Sequence, residues 1–87
     1  MYDSYILYIK AKCPFCIKAL DRLEKEQKPY KIIIIDYCSS GFISQLKEAY
    51  EHDSFPMVLG YDETYQSYSW IGGHDDLVFH LDNPEEI

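Results

Sequence analysis

Two cysteines separated by two residues lie between a short apolar run and a segment with helical periodicity. The motif is Cys13-Pro14-Phe15-Cys16, and the apolar run spans residues 5–9. Residues three apart share one face of a helix, with Cβ atoms about 5 to 6 Å apart, so the two thiols can close a disulfide with little backbone movement. Pro14 suits the first helical position, where its missing N–H costs nothing. The spacing therefore predicts a redox-active pair at a helix N-terminus, with Cys13 as the cap.

The two cysteines have different predicted roles. Unpaired N–H groups and the positive end of the helix dipole favour an anion at Cys13. Lys10 and Lys12 lie just upstream and Lys18 lies one turn inside the helix, so we expect Cys13 to be the thiolate nucleophile. Cys16 is flanked by apolar residues, and we expect it to be shielded and to resolve the mixed disulfide formed on Cys13.

Two other interpretations of the cysteine pair, a zinc site and a pair of inert buried thiols, agree less well with the sequence. A structural zinc site needs a second pair of ligands, and the remaining candidates, Cys38, His52, His74 and His80, have no ligand spacing. Two inert buried thiols fit poorly with a strand–loop–helix setting and upstream lysines. We therefore predict no metal site, an unengaged thiol at Cys38, and surface positions for His52 and His80.

Length and composition limit the class of protein. Eighty-seven residues allow one domain, residues 1–87. No apolar stretch reaches the roughly 18 residues of a membrane span, residues 1–4 lack the basic start of a signal peptide, and three cysteines with one C-x-x-C suit a reducing compartment. We expect a cytoplasmic monomer.

The charge distribution limits the partners. The net charge of −7 argues against nucleic-acid and membrane binding, which depend on basic patches. Residues 75–87 include Asp75, Asp76, Asp82, Glu85 and Glu86 but no Lys or Arg, whereas much of the positive charge lies in the first third. A basic rim on an acidic body would favour an anionic partner.

Hydrophobic patterning predicts an α/β domain of order β-α-β-α-β-β-α. The run of four isoleucines in residues 31–36 is typical of a strand covered on both faces, and the stripe of Cys16, Leu20 and Leu23 is typical of a helix packed on a sheet. Residues 39–41 predict a turn and residues 60–66 a hairpin loop. Strands are predicted over residues 4–9, 31–36, 56–59 and 67–71, and helices over residues 14–26, 42–50 and 75–81.

Three motifs resemble one known family. Residues 10–19, with Lys10 and the Cys13–Cys16 pair, are similar to the K-x-x-C-P-Y-C-x-K-A segment of dithiol glutaredoxins. Ser54-Phe55-Pro56 stands where that family has Thr-Val-Pro, and residues 72–77 stand where it has G-G-x-D-D-L. The resemblance implies a thioredoxin-like (glutaredoxin) fold, in which a four-stranded mixed sheet is flanked by three helices.

The resemblance also implies a glutathione site. In that family the proline at Pro56 is cis, and the backbone of Phe55 would pair with a cysteinyl peptide as an added strand. Near Gly73, the N–H groups of His74 and Asp75 would bind the γ-glutamyl carboxylate, and the Asp75 carboxylate would meet the amino group. Two further residues complete the set: Lys10 would take the glycyl carboxylate and the Phe15 ring would cover the thiols.

Four departures from the family pattern predict modest affinity for glutathione. Phe15 replaces a tyrosine, Phe55 replaces a smaller aliphatic residue, and Asp53 stands near a position that is often basic. The polar residue on the second helix that often helps to bind glutathione has no clear counterpart, since Ile43 falls nearest and Gln45 only lies close by.

The resemblance implies a glutathione-dependent oxidoreductase that reduces protein disulfides and glutathione mixed disulfides through Cys13 and Cys16. One alternative is a dimer that holds a [2Fe–2S] cluster, against which the rigid Pro14 argues. Another is a redoxin that ignores glutathione and serves ribonucleotide reductase, against which Lys10, the double glycine and Asp75 argue.

Overall fold

The computed structural model describes residues 2–83 and has the predicted order of elements. A short 3₁₀ turn, Ile35–Tyr37, follows the second strand. The strands and helices are β1 (Ser4–Ile9), α1 (Pro14–Lys25), β2 (Tyr30–Ile34), α2 (Ser40–Tyr50), β3 (Met57–Asp62), β4 (Ser67–Gly72) and α3 (His74–Asp82). The prediction of a β-α-β-α-β-β-α fold is confirmed.

The four strands form one mixed sheet in the order β2-β1-β3-β4. β1 pairs with β2 in parallel and with β3 antiparallel, and β3 pairs with β4 antiparallel. Alternate residues of β1 are buried, beginning with Tyr5, whose hydroxyl meets His80 of α3. On the other face, the Tyr8 ring lies against Phe42 of α2. The central strand β1 therefore has helices on both of its faces.

The core lies between the sheet and helices α1 and α3, which contact each other. Helix α1 buries Cys16, Ala19 and Leu23 completely or nearly so, a spacing that places all three on one helical face. The predicted stripe had Leu20 in place of Ala19, and Leu20 is only partly buried at the core edge. Cys16 thus belongs to both the core and the predicted redox pair.

The prediction that residues 31–36 form a strand covered on both faces is wrong. β2 spans Tyr30–Ile34 and lies at the edge of the sheet, with β1 as its neighbour on one side. An edge strand has fewer neighbours to cover its side chains, and Ile32 is accordingly 43% exposed. The next isoleucine, Ile35, is buried, but it already belongs to the 3₁₀ turn.

Two predicted loops are shorter than expected. Ser39 caps α2 by accepting a hydrogen bond from the Phe42 N–H at 3.1 Å, so the helix already begins at Ser40 instead of after a turn at residues 39–41. Gly60 belongs to β3, where the Tyr2 ring lies over it so closely that a Cβ would come within 2.3 Å of a ring carbon. The hairpin loop is therefore shorter than residues 60–66.

Helix α3 carries three of the acidic residues that distinguish the C-terminal end of the sequence. Of the acidic residues counted near the C-terminal end, Asp75, Asp76 and Asp82 are described, whereas Glu85 and Glu86 lie outside the described residues. Within residues 2–83, the structure contains no helix that combines the length and the apolar character needed to cross a membrane.

Candidate active site

Cys13 occupies the N-cap of α1. Its backbone is extended, with φ −123° and ψ 111°, and Pro14 takes the first helical position. The Cys16 N–H donates to the Cys13 sulfur over 3.3 Å. The helix start therefore points an otherwise unpaired backbone donor at the sulfur that the sequence predicts to be the nucleophile.

Cys16 lies in a different environment. Its residue is 1% exposed, whereas Cys13 is partly exposed. Burial is the main cause that raises the pKa of the Cys16 thiol to about 12, and its hydrogen bond to Cys13 adds to the effect. Cys16 therefore stays protonated at neutral pH, and Cys13 is the more exposed of the two cysteines.

The loop before β3 meets Cys13 at Phe55. The peptide bond between Phe55 and Pro56 is cis. The thiol of Cys13 donates to the Phe55 carbonyl at a sulfur–oxygen distance of 3.6 Å, and in the same loop Ser54 Oγ lies 3.2 Å from His52 Nε2. The main chain at Phe55 therefore lies directly beside the Cys13 sulfur.

An open pocket of about 380 Å³ lies next to these two segments. Its volume lies near the lower end of the range for small-molecule sites. The structure brings six of the predicted site residues together in its lining, and three further residues line it as well. The predicted ones are Phe15, Phe55, Pro56, Gly73, His74 and Asp75, and the additional ones are His52, Ser54 and Asp76.

The pocket wall opposite the loop is the start of α3. Gly73 is the N-cap, and its N–H donates to the Asp76 carboxylate over 3.0 Å. Gly72 needs its glycine, because its φ is +133° and a Cβ would come within 2.2 Å of an Asp76 oxygen. Gly73 has an ordinary φ of −89°, and a Cβ there would lie 3.6 Å from the His52 ring, on the pocket side.

The predicted ligand residues of α3 interact with each other. His74 Nδ1 and Asp75 Oδ1 are 2.9 Å apart, and the Asp75 side chain is 97% exposed. The His74 ring also packs against Phe15, with ring centres 5.5 Å apart. A carboxylate at this end of the pocket is therefore available to a positively charged group.

Lysine side chains lie on the aromatic rings around Cys13. The Lys10 ammonium is 5.6 Å from the centre of the Phe55 ring, and the Lys47 ammonium is 5.8 Å from it. Lys18 lies 5.0 Å from the Phe15 ring in the same way. These distances are within the range of cation–π attraction. We use the term groove for the surface that runs from the Phe55 ring past the Cys13 sulfur and the pocket to the start of α3. Its Phe55 end carries positive charge, and its α3 end carries carboxylates.

Two of the sequence-based placements of histidines are wrong. His52 was expected at the surface, but it lines the pocket and packs edge-on against Trp70, with ring centres 5.3 Å apart. His80 was also expected at the surface, but it meets the Tyr5 hydroxyl at 3.0 Å, and burial lowers its pKa. Both rings are held by aromatic neighbours that are distant in sequence.

Three further residues differ in whether a local sequence signal predicts their contacts. Asp76 follows Gly73 at the spacing of a capping residue, which is a recognisable local signal. Lys47 has no such signal, although it reaches the ring of Phe55. Cys38 is partly buried, its thiol donates to the Ile34 carbonyl over 3.8 Å, and it does not line the pocket.

Comparisons with known proteins agree on one family. Residues 5–62 match the sequence model of the glutaredoxin family, and no curated protein sequence matches significantly. Among solved structures, a wheat glutaredoxin is 24% identical, with a TM-score of 0.77 over 93% of this chain and 71% of that one. The holo form of glutaredoxin C1 from Populus tremula x tremuloides is 23% identical, with a TM-score of 0.76 over 94% of this chain and 77% of that one. A Brucella melitensis glutaredoxin is 21% identical, with a TM-score of 0.72 over 98% of this chain and 85% of that one.

Proposed function

We propose, since the chain belongs to the glutaredoxin family, that it is a glutathione-dependent thiol–disulfide oxidoreductase. Members of this family are oxidoreductases, and the fold of this chain is theirs. The observation that carries the proposal is the asymmetry of the cysteine pair. The partly exposed Cys13 sulfur accepts a backbone hydrogen bond, whereas burial raises the pKa of Cys16 to about 12.

The asymmetry suits a two-step exchange. The Cys13 thiolate attacks one sulfur of a protein disulfide, the sulfur–sulfur bond breaks, and the released thiolate takes a proton from water. Cys16 then attacks the Cys13 sulfur, the bond between Cys13 and the substrate breaks, and the Cys16 proton passes through water to the leaving substrate thiolate, so that the second substrate thiol is freed and a Cys13–Cys16 disulfide remains. Two glutathiones reduce that disulfide and are oxidised to glutathione disulfide. With a glutathione mixed disulfide, a second glutathione resolves the Cys13 adduct directly.

The charges around the pocket suit glutathione. The glycyl carboxylate would meet the Lys10 ammonium, which lies on the Phe55 ring. At the other end the N–H groups of His74 and Asp75 would receive the γ-glutamyl carboxylate, and the exposed Asp75 carboxylate would meet the amino group. Phe55 and Pro56 would flank the cysteinyl part, and Gly73 would leave room for the ligand backbone.

The proposal includes the partners and the setting of the protein. Its substrates would be disulfide-bearing or glutathionylated proteins, with ribonucleotide reductase as one example. We propose that it acts as a cytoplasmic monomer, because the expected reductant is glutathione and the exchange needs one subunit.

A coupled assay tests the function. Turnover of a mixed disulfide between glutathione and a small thiol is followed through glutathione reductase and NADPH. The Cys13→Ser variant should lose all activity, whereas Cys16→Ser should keep this reaction and lose the reduction of protein disulfides. Cys38→Ser is the matched control and should keep both activities, since the Cys38 thiol lies outside the Cys13–Cys16 pair and contacts the Ile34 carbonyl instead.

Two results would contradict the proposal. Equal loss of mixed-disulfide turnover in the Cys13 and Cys16 variants would refute the assigned roles. Turnover that is supported by thioredoxin reductase but not by glutathione would favour a redoxin that does not use glutathione.

A further inference from the structure

Phe55 carries two lysine side chains at the point where its backbone touches the reacting sulfur. Lys10 approaches the ring from the end of β1 and Lys47 approaches it from α2, at 5.6 and 5.8 Å from the ring centre. The carbonyl of the same residue lies 3.6 Å from the Cys13 sulfur. Two positive charges therefore lie on the same residue whose carbonyl contacts the Cys13 sulfur, the atom that would attack a substrate disulfide.

These charges are both held in position and available to a ligand. The Phe55 residue is only 9% exposed, so its ring is a fixed support that limits the motion of the ammonium groups resting on it. Although the chain has a net charge of −7, neither Lys10 nor Lys47 forms an ion pair with a carboxylate in the part of the chain that the structure describes. A carboxylate of a bound partner would meet two pre-positioned cations.

The groove is polarised across Cys13. Lys10 and Lys47 lie on the side of Phe55. On the α3 side, the Asp75 carboxylate is exposed and Asp76 caps Gly73, and Lys18 lies there on the outer Phe15 ring. A peptide that crosses the groove would therefore be favoured in one direction, with its acidic end toward Phe55. Glutathione bound as proposed would lie in that direction, with the carboxylate that follows its cysteine at Lys10.

We propose that Lys47, together with Lys10, makes the protein select disulfides in which an acidic residue follows the reacting cysteine. The inference rests on the proposed function, because the direction of glutathione in the groove sets which side of the cysteine is read. The partner class is thus a protein or peptide with a Cys-Glu or Cys-Asp sequence at its disulfide, and Lys47 is a specificity-determining residue.

The chemical step that reports the selection is the first exchange. The Cys13 thiolate attacks one sulfur of a symmetrical disulfide between two identical peptides. One peptide leaves as a thiolate and is protonated by water, and the other remains joined to Cys13. Cys16 then releases the second peptide as Cys13–Cys16 disulfide forms, so one reduced protein yields two peptide thiols without glutathione.

The experiment measures single-turnover rates of reduced full-length protein with three peptide disulfides. The peptides contain Cys-Glu, Cys-Gln or Glu-Cys in an otherwise identical sequence, and each rate is divided by the rate with mercaptoethanol to remove intrinsic reactivity. The native protein should prefer Cys-Glu over Cys-Gln by roughly two- to fivefold, the range of an exposed charge pair. The preference should shrink as salt is added.

Lys47 variants identify the residue responsible. The Lys47→Gln variant should bring the Cys-Glu to Cys-Gln ratio toward one, and Lys47→Arg should keep the preference because it keeps the charge. The matched control is Lys25→Gln, which removes one positive charge at the far end of α1 and should leave the ratio as it is. Circular dichroism and urea unfolding verify that each variant is folded.

Three outcomes would overturn the inference. The ratio could survive in Lys47→Gln, it could fall equally in Lys25→Gln, or Glu-Cys could be favoured as much as Cys-Glu. Any of these, with normal glutathione turnover in the coupled assay, would reject the selectivity and leave the proposed function standing. If glutathione turnover failed while the ratio of the Cys-Glu to the Cys-Gln rate was unchanged, the proposed function would be rejected and the measured selectivity would remain.

Discussion

Cys16 should be almost inert toward alkylation at neutral pH, although its N–H lies beside the Cys13 sulfur. Burial, aided by the hydrogen bond to Cys13, raises its pKa to about 12. A thiol with that pKa is ionised in roughly one molecule in 10⁵ at pH 7, whereas an ordinary thiol with a pKa near 8.5 is about 3% ionised. Because the thiolate is the reactive form, Cys16 should be labelled on the order of 10³-fold more slowly than an ordinary thiol.

Peptide-resolved mass spectrometry measures this directly. Reduced protein is exposed to limiting iodoacetamide between pH 6 and 10, and labelling of each cysteine is followed in time. Cys38 is the internal reference, since it is only partly buried. The labelling rate of Cys16 should rise about tenfold per pH unit across the range, as expected of a thiol far below its pKa. In urea, all three cysteines should be labelled at similar rates.

A variant separates the two causes of the raised pKa. In Cys13→Ser the sulfur partner of Cys16 is gone, but the larger cause, burial, remains. Cys16 should therefore stay slow in this variant as well. If Cys16 of the native protein were labelled as fast as Cys38 at pH 7, and its rate levelled off below pH 9, the burial argument and the division of labour built on it would fail.

Two further predictions concern the pocket and the core. Gly73→Ala should raise KM for the glutathione mixed disulfide severalfold in the coupled assay, because its methyl group would lie on the pocket side, 3.6 Å from His52; the loss of stability should be at most about 1 kcal/mol. The control Gly41→Ala, with open space around its Cβ, should leave KM unchanged, and a rise in both variants would refute the placement. Burial raises the pKa of Tyr5 to about 12, so the neutral phenol stabilises the fold below pH 10, and on the order of 2 kcal/mol should be lost as pH rises through 12. Urea unfolding between pH 9 and 11.5 should show a smaller loss of unfolding free energy in Tyr5→Phe than in the native protein. The same dependence of unfolding free energy on pH in both proteins would contradict this.

The fold was predictable wherever local pattern and pairing agree. β1 was found with its bounds, because the segment is short and rich in tyrosine and isoleucine, which favour strands. The isoleucine run of β2 gives the same local signal as a buried strand, but its position at the sheet edge depends on which strands pair. Sequence periodicity carries no information on that choice, and so Ile32 was expected inside and lies partly exposed.

The residues of the candidate site are likewise of two kinds, those that a local motif reveals and those that only tertiary packing brings to the site. The cysteine pair, Pro56 and Gly73 could be recognised because each belongs to a short motif whose residues act through their own backbone positions. His52 could not, since its place in the pocket depends on contact with Trp70, which is on β4. Residues of the first kind are visible in the sequence, and residues of the second kind become visible only when the helices and strands are packed.

Lys47 shows why a contact beside the candidate site can leave no trace in the sequence. Helix α2 ends at Tyr50, and the next residue, Glu51, caps it in the left-handed conformation, with φ 50°. The His52 N–H then donates to the Lys47 carbonyl at 3.1 Å. This six-to-one bond folds the chain back along the last turn of the helix, so that the loop leading to Phe55 passes the Lys47 side chain. Glycine usually marks such a reversal, but here a glutamate adopts it. The turn that brings a cation to the Phe55 ring was therefore hidden, and Lys47 could not be told apart from an ordinary solvated lysine.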